Sequence, residues 1–251
     1  MSGSKGYVLV LVGSRRKRNT WTLADSLRPA IEAAGYELLV ESIFDYTVQL
    51  CIGCHRCVEG HACALHDGSA ALMAKLEAAA GVILASPVYM CGVSGALKVF
   101  IDRTAAWFHR PVLVGKPAMV LVTTAGSYQK ETIAYLATIC MHWGLLYTGG
   151  VSRDVGSLGK PLAQEEFTAF IKVLQAGKAV FKPSLRQLAL YQVQKVLALK
   201  ILPYDALYWK GKGWDQRHFY VDCSIPLWKA AVAKLFYRLL FARIKGFDAD
   251  A

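Results

Sequence analysis

The sequence predicts an α/β fold: a doubly wound parallel sheet of five strands, followed by a mainly helical C-terminal extension. Three observations predict it. Over roughly the first 160 residues, short β-branched runs alternate with helical patterns, the signature of strand–helix–strand units. The strand candidates are apolar almost throughout, as strands covered on both faces require. Beyond Phe181 the pattern changes to aromatics, lysines and the prolines Pro183, Pro203 and Pro226, which sets 182–251 apart from 1–181.

The elements follow in order. Strands are expected at Tyr7 to Val12, Tyr36 to Phe44, Val82 to Ser86, Ala118 to Thr123 and Tyr147 to Arg153. Helices are expected at Thr20 to Ala34, Ser69 to Ala80, Ser94 to Trp107, Glu131 to Trp143 and Ala163 to Val180. Gly35, Gly81 and Gly144 stand just past helix ends, where the chain turns left-handed. The extension reads as a helix from Leu185 to Ile201, an irregular aromatic loop, and a helix from Pro226 to Lys245. Five parallel strands covered on both faces make the flavodoxin-like arrangement, order 2-1-3-4-5, whose ligand sits outside the carboxyl ends of the strands.

Composition narrows the class. With 251 residues and 55% hydrophobic content the chain can bury a large core, which excludes a disordered protein. Charged residues interrupt every apolar run well short of the about eighteen residues that mark a membrane span. Only Lys5 precedes the first short apolar run, and no small-residue cleavage site follows, so a cytoplasmic location is expected. The net charge is +11, and 181–251 hold twelve Lys/Arg against five Asp, a surplus of seven. A basic surface suits phosphate-bearing ligands, anionic lipid or acidic proteins; no nucleic-acid motif accompanies it, and no nucleic-acid partner is expected.

Two loops carry a binding signal. After the first strand, Gly13-Ser14-Arg15-Arg16-Lys17-Arg18-Asn19-Thr20 runs straight into a helix and reads as a phosphate cradle, without the Walker or dinucleotide glycine pattern. A capped helix behind a solvated basic loop is its bland rival. After the third strand, Ser86-Pro87-Val88-Tyr89-Met90-Cys91-Gly92 offers glycine backbone and an aromatic beside apolar chain, a surface for a flat ring. The loop after the fourth strand, with Thr124 and Gly126, reaches the same end of the sheet.

The run Cys51-Ile52-Gly53-Cys54-His55-Arg56-Cys57-Val58-Glu59-Gly60-His61-Ala62-Cys63 places four thiols in one loop, separated by two, two and five residues. Such crowding points to an iron–sulfur cluster, with a tetrahedral zinc site, a redox disulfide and unligated packing thiols as rivals. His55 and His61 read as solvated loop residues, Lys98, Asp102 and Arg103 as surface or interface helix contacts, and Cys91 as a packing cysteine.

Together, Gly-Ser-x-Arg…Asn-Thr, the compact cysteines and Ser-Pro-Val-Tyr…Ser-Gly-x-Leu-Lys-x-Phe-Ile-Asp-Arg resemble the NADPH-dependent FMN reductase-like flavoproteins, and within them the iron–sulfur flavoprotein branch. The resemblance covers about Tyr7 to Gly150. It implies bound FMN, NAD(P)H as co-substrate, and a homo-oligomer, dimer or tetramer, with flavins near subunit contacts. Ser14, Arg16, Asn19 and Thr20 match the family's phosphate positions, with Arg18 beside them. Pro87, Val88, Tyr89 and Met90, with Gly92, match the segment beside the isoalloxazine ring, and Gly126, with Thr124, a ring-edge loop. Cys51, Cys54, Cys57 and Cys63 match the motif that holds a 4Fe-4S cluster. The phosphate loop is one residue shorter than the usual form and has Arg15 where proline is common. The resulting expectation is an FMN-dependent oxidoreductase passing electrons between NAD(P)H or a ferredoxin-type donor, FMN and a 4Fe-4S cluster; the alternatives are a flavin-only NAD(P)H reductase and a non-catalytic flavin-binding sensor.

The extension raises two further expectations. Tyr208, Trp209 and Trp214 would cover a flavin. In a helix over 226–245, Lys234, Arg238 and Lys245 project to one side of an apolar group including Val232, Leu235, Phe236, Leu239 and Leu240, a pattern shared by packing on the core, oligomer contact, docking of an acidic partner and peripheral membrane contact.

Overall fold

The computed structural model describes residues 4–245. Strands β1 (Tyr7–Val12), β2 (Glu37–Ser42), β3 (Gly81–Pro87), β4 (Pro117–Thr123) and β5 (Leu146–Arg153) pair in parallel in the order β2-β1-β3-β4-β5. This is the flavodoxin-like arrangement. β3 and β4 are buried along their whole length, so their unbroken apolar runs reflect cover on both faces. β2 stops at Ser42, short of Phe44, because Ser42 and Asp45 form a reciprocal cap on a 3₁₀ turn over Ile43–Asp45.

The expected first helix is two: α1 (Asn19–Asp25) and α2 (Arg28–Ala33). Pro29 explains the break, since its ring and missing N–H are tolerated only in a first turn. α3 (Gly68–Ala78) follows. The helix expected over Ser94 to Trp107 is likewise split, into α4 (Gly95–Arg103) and α5 (Ala105–His109). At the break the Thr104 hydroxyl donates to Ile101 O and accepts the indole N–H of Trp143 at 2.9 Å, a tertiary contact with no local signature. α6 (Gln129–His142) and α7 (Gln164–Ala176) complete the two layers, and α7 ends at Gly177 with φ +76, four residues before the expected stop. One core beneath α3–α6 centres on Leu72, Phe100, Trp107 and Trp143. The opposite core, beneath α1, α2 and α7, centres on Leu27, Ile31 and Phe170.

The extension contributes α8 (Leu185–Lys200), α9 (Pro203–Gly211) and α10 (Leu227–Arg243). The stretch expected as an irregular loop is therefore partly helical, with Pro203 in the first turn of α9, where its fixed φ is already helical. Trp209, Trp214, Tyr191, Phe219 and Tyr220 form a third core that rests on Leu146 of β5 and Val173 of α7. Trp209 is fully buried and donates to His109 O at 2.8 Å. The aromatic cluster thus packs the extension onto the sheet edge and is not available to cover a flavin in its own chain.

Candidate functional site

A pocket of about 350 Å³ opens at the carboxyl ends of the strands, between the loops that follow β1, β3 and β4. Its size falls in the range of small-molecule sites. The β1 loop brings Ser14, Arg16, Arg18, Asn19 and Thr20 to one wall. Thr20 and Thr123 share a buried hydroxyl–hydroxyl bond of 2.6 Å, joining the start of α1 to the end of β4. Ser42 donates to Ser14 O at 2.8 Å, pinning the loop to β2. The four cations divide: Arg15 stacks over Phe44 at 5.0 Å and Lys17 over Trp21 at 4.6 Å, while Arg16 and Arg18 line the pocket. No side chain caps α1, so polar groups and two guanidinium ions face the space together. Gly13 is required here, because a Cβ would stand 2.7 Å from Ser94 Oγ.

The second wall is Pro87, Val88 and Tyr89; Val88 N–H donates to Thr123 O at 2.8 Å, drawing this segment against β4. Thr124 and Ala125 close the third side. Met90, Gly92 and Gly126, expected beside the ligand, lie outside the lining. Met90 and Cys91 both adopt positive φ, +43° and +66°, in a tight reversal closed by mutual Tyr89 and Gly92 backbone bonds. That reversal leaves Met90 98% exposed. Gly126 is held back by its N–H bond to Thr124 Oγ1 at 3.1 Å. Thr123 joins the pocket with its loop, and so does Leu158, which was not singled out from the sequence. Thr123 ends an apolar strand with a hydroxyl, a readable signal; Leu158 comes from the irregular stretch after β5 and has none.

The cysteines form a second site. Cys51, Cys54, Cys57 and Cys63 line one recess of about 110 Å³ together with Asp102, Arg103 and Ala105. The stretch from 48 to 67 has no strand or helix, and its shape comes from hydrogen bonds at its neck and flank. Asp67 accepts the N–H groups of Gln49 at 2.8 Å and Ser69 at 2.9 Å, closing the neck and capping α3.

Arg103 is the correction to a surface helix contact. It is buried, pairs with buried Asp67, and donates to Gln49 O at 3.1 Å, Leu65 O at 3.2 Å and Cys63 Sγ at 3.4 Å. Burial raises Asp67, but bonds from Ser69, Gln49 and Arg103 outweigh it and hold the carboxyl far below its ordinary value. A second buried arginine, Arg110, ends the same helical pair. It donates to Val58 O at 2.9 Å and to Cys57 O, pairs with Asp205 of α9, and stacks on Tyr204 at 4.8 Å. His109 Nδ1 stands 2.9 Å from the other oxygen of Asp205. Two arginines seven positions apart thus hold the cysteine loop, Arg103 at its two ends and Arg110, braced by Asp205 of the extension, at its middle.

The donor set fits a thiolate-held cluster in kind and number. Burial raises Cys63, yet the Leu65 N–H and the Arg103 guanidinium bring it below an ordinary thiol. Burial first, and then the neighbouring Cys63, Cys51 and Cys54, push the Cys57 thiol up. The arrangement is not closed: among the described residues no three His, Cys, Asp or Glu side chains converge as metal ligands do. His55 lines the recess at φ +59, and His61 borders the neighbouring cavity with Cys57 and Tyr204.

Fold and pocket define a doubly wound α/β protein with a mononucleotide-sized site at its switch point. Residues 7–153 match the NADPH-dependent FMN reductase model, and the chain belongs to that family. An iron–sulfur flavoprotein of Archaeoglobus fulgidus is 30% identical over 214 residues, 81% of this chain and 97% of that one. An iron–sulfur flavoprotein of Methanosarcina thermophila is 25% identical over 170 residues, 66% of this chain and 88% of the relative. Among solved structures, RosB with a bound 8-demethyl-8-formylriboflavin-5′-phosphate intermediate superposes with a TM-score of 0.52 at 15% identity, over 68% of this chain and 76% of RosB. That likeness speaks to the fold.

Proposed function

We propose that the chain is an FMN-dependent oxidoreductase that links NAD(P)H or a reduced ferredoxin-type donor to a one-electron acceptor through a flavin and a 4Fe-4S cluster. The observation that carries the reading is the pair of sites on α4: its start, at Ser94, meets the pocket loop, and its end, Arg103, holds the cysteine recess. Nine residues of helix set them about 13 Å apart along its axis.

When bound, FMN would supply hydride and single-electron chemistry, and a cluster held by Cys51, Cys54, Cys57 and Cys63 would supply single-electron transfer. The chain's own work is placement. Arg16 and Arg18 neutralise the phosphate, while Ser14, Asn19, Thr20 and Thr124 offer hydroxyl and amide partners. Pro87, Val88 and Tyr89 shield one side of the ring from water. Arg103 keeps an N–H on Cys63 Sγ and stabilises it as a thiolate. Exposed Met90 and half-exposed Tyr89 form an apolar rim that a second copy of the chain would cover in a dimer or tetramer. A cytoplasmic setting belongs to the same reading; among the described residues no helix is long and apolar enough to cross a membrane.

A flavin-only NAD(P)H reductase is the second reading, favoured by the exposure of Cys51 and Cys54 and their lack of convergence. The test is anaerobic mixing of the purified holoprotein with NADPH, NADH or reduced ferredoxin, following flavin absorbance. Bleaching within turnover time by at least one donor supports the oxidoreductase; a flavin that none of them reduces contradicts it.

A further inference from the structure

α10 is apolar on two opposed faces. One is settled: Ala233 is buried, and Ala230, Tyr237 and Leu240 half-buried, against α8. Lys200 of α8 donates to Phe241 O at 2.7 Å and Ile244 O at 2.8 Å, and Lys229 donates to Pro183 O at 3.1 Å, so the helix is anchored at both ends. The other face points away. Trp228, Val232, Leu235 and Leu239 are each 50 to 60% exposed, and Leu227 is 89% exposed. Their spacing of four, three and four residues puts Trp228, Val232, Leu235 and Leu239 in one stripe. Packing on the protein's own core, one of the readings open to this apolar group, does not hold for that stripe.

We propose that this stripe is a membrane-surface helix that seats the protein on anionic phospholipid. Charge selects the occupant. Leu227 to Lys245 contains no Asp or Glu, and its cations border the stripe by 100° per residue: Lys234, Arg238 and Lys245 along one edge and Arg243 along the other, where Lys229 is held by Pro183 O. Long basic side chains at the edges of an apolar strip reach phosphate headgroups while their stems stay in the apolar layer. The stripe is about 17 Å long from Trp228 to Leu239, and its Trp and Leu side chains are of the kind an interfacial helix buries. Two copies meeting stripe to stripe would set these cations against each other with no carboxylate on either helix, and the whole segment 181–251 adds to the positive field. A spanning role is excluded by the same cations and by the contacts with α8.

The test is flotation of the full-length protein with vesicles of phosphatidylcholine alone and with one third phosphatidylglycerol, at low and high salt, beside light-scattering mass without vesicles. Strong flotation only with phosphatidylglycerol, reversed in good part by 1 M salt, whose Debye length is about 3 Å, is the expected result. Leu235→Asp/Leu239→Asp and Lys234→Gln/Arg238→Gln are each expected to lower the bound fraction roughly tenfold or more, with unchanged circular dichroism and mass. No flotation with phosphatidylglycerol, or equal flotation by the Leu→Asp variant, overturns the proposal. So does a mass that halves in the Leu→Asp variant, which would show that a second copy covers the stripe.

Discussion

At Gly60 one hydrogen atom decides whether the extension can reach the cysteine loop. Its φ is +92, and a Cβ would stand 2.6 Å from the Tyr204 ring, so Gly60→Ala is expected to cost about 2 kcal/mol, read as a lower Tm. His142 gives a pH signature. Burial pushes its imidazole from 6.5 down to about 4. The unfolded chain therefore binds more protons in that window; the contribution is whole above pH 6.5 and falls away as the pH drops towards about 4. His142→Gln is expected to lose about 2 kcal/mol less stability than the parent between pH 8 and pH 5, measured by urea unfolding. In the pocket, Arg16→Ala and Arg18→Ala are each expected to weaken FMN binding by about tenfold in a fluorescence titration of the flavin-free protein.

At the scale of elements, α4 and α5 each end in a buried arginine, Arg103 and Arg110. Arg103→Met leaves Asp67 buried without its partner and is expected to destabilise by about 3 kcal/mol. Arg110→Gln and Asp205→Asn release the loop at Cys57 and Val58 without touching the flavin pocket; in iron-free protein, alkylation of Cys57 is expected to quicken several-fold, while FMN affinity stays unchanged. The apolar runs of β1, β3 and β4 made the strands legible, and Gly-Ser…Asn-Thr made the pocket loop legible. The arginine clamp was not, because Arg110 meets a carboxylate 95 positions away and periodicity carries no trace of such a pair. The reversal at Met90 was illegible for a related reason: Met-Cys is not a residue pair that announces two positive φ angles. α9, by contrast, had a readable start in Pro203.

On the scale of the whole molecule, the extension does two things that the flavodoxin-like sheet does not. Its aromatic core fastens it to β5 and α7, and from that footing Tyr204 and Asp205 brace the cysteine loop while α10 presents its outer stripe. Sequence showed the basic charge and the amphipathic spacing of α10 but not which apolar face turns inward, since both faces carry the same residue types. In the proposed function the two sites on α4 are filled together. Its most direct test is flavin, iron and acid-labile sulfide analysis, with a visible spectrum, on protein purified without oxygen. One FMN with about four iron and four sulfide per chain is expected; FMN with no iron or sulfide would contradict joint filling and leave the four cysteines to thiol chemistry.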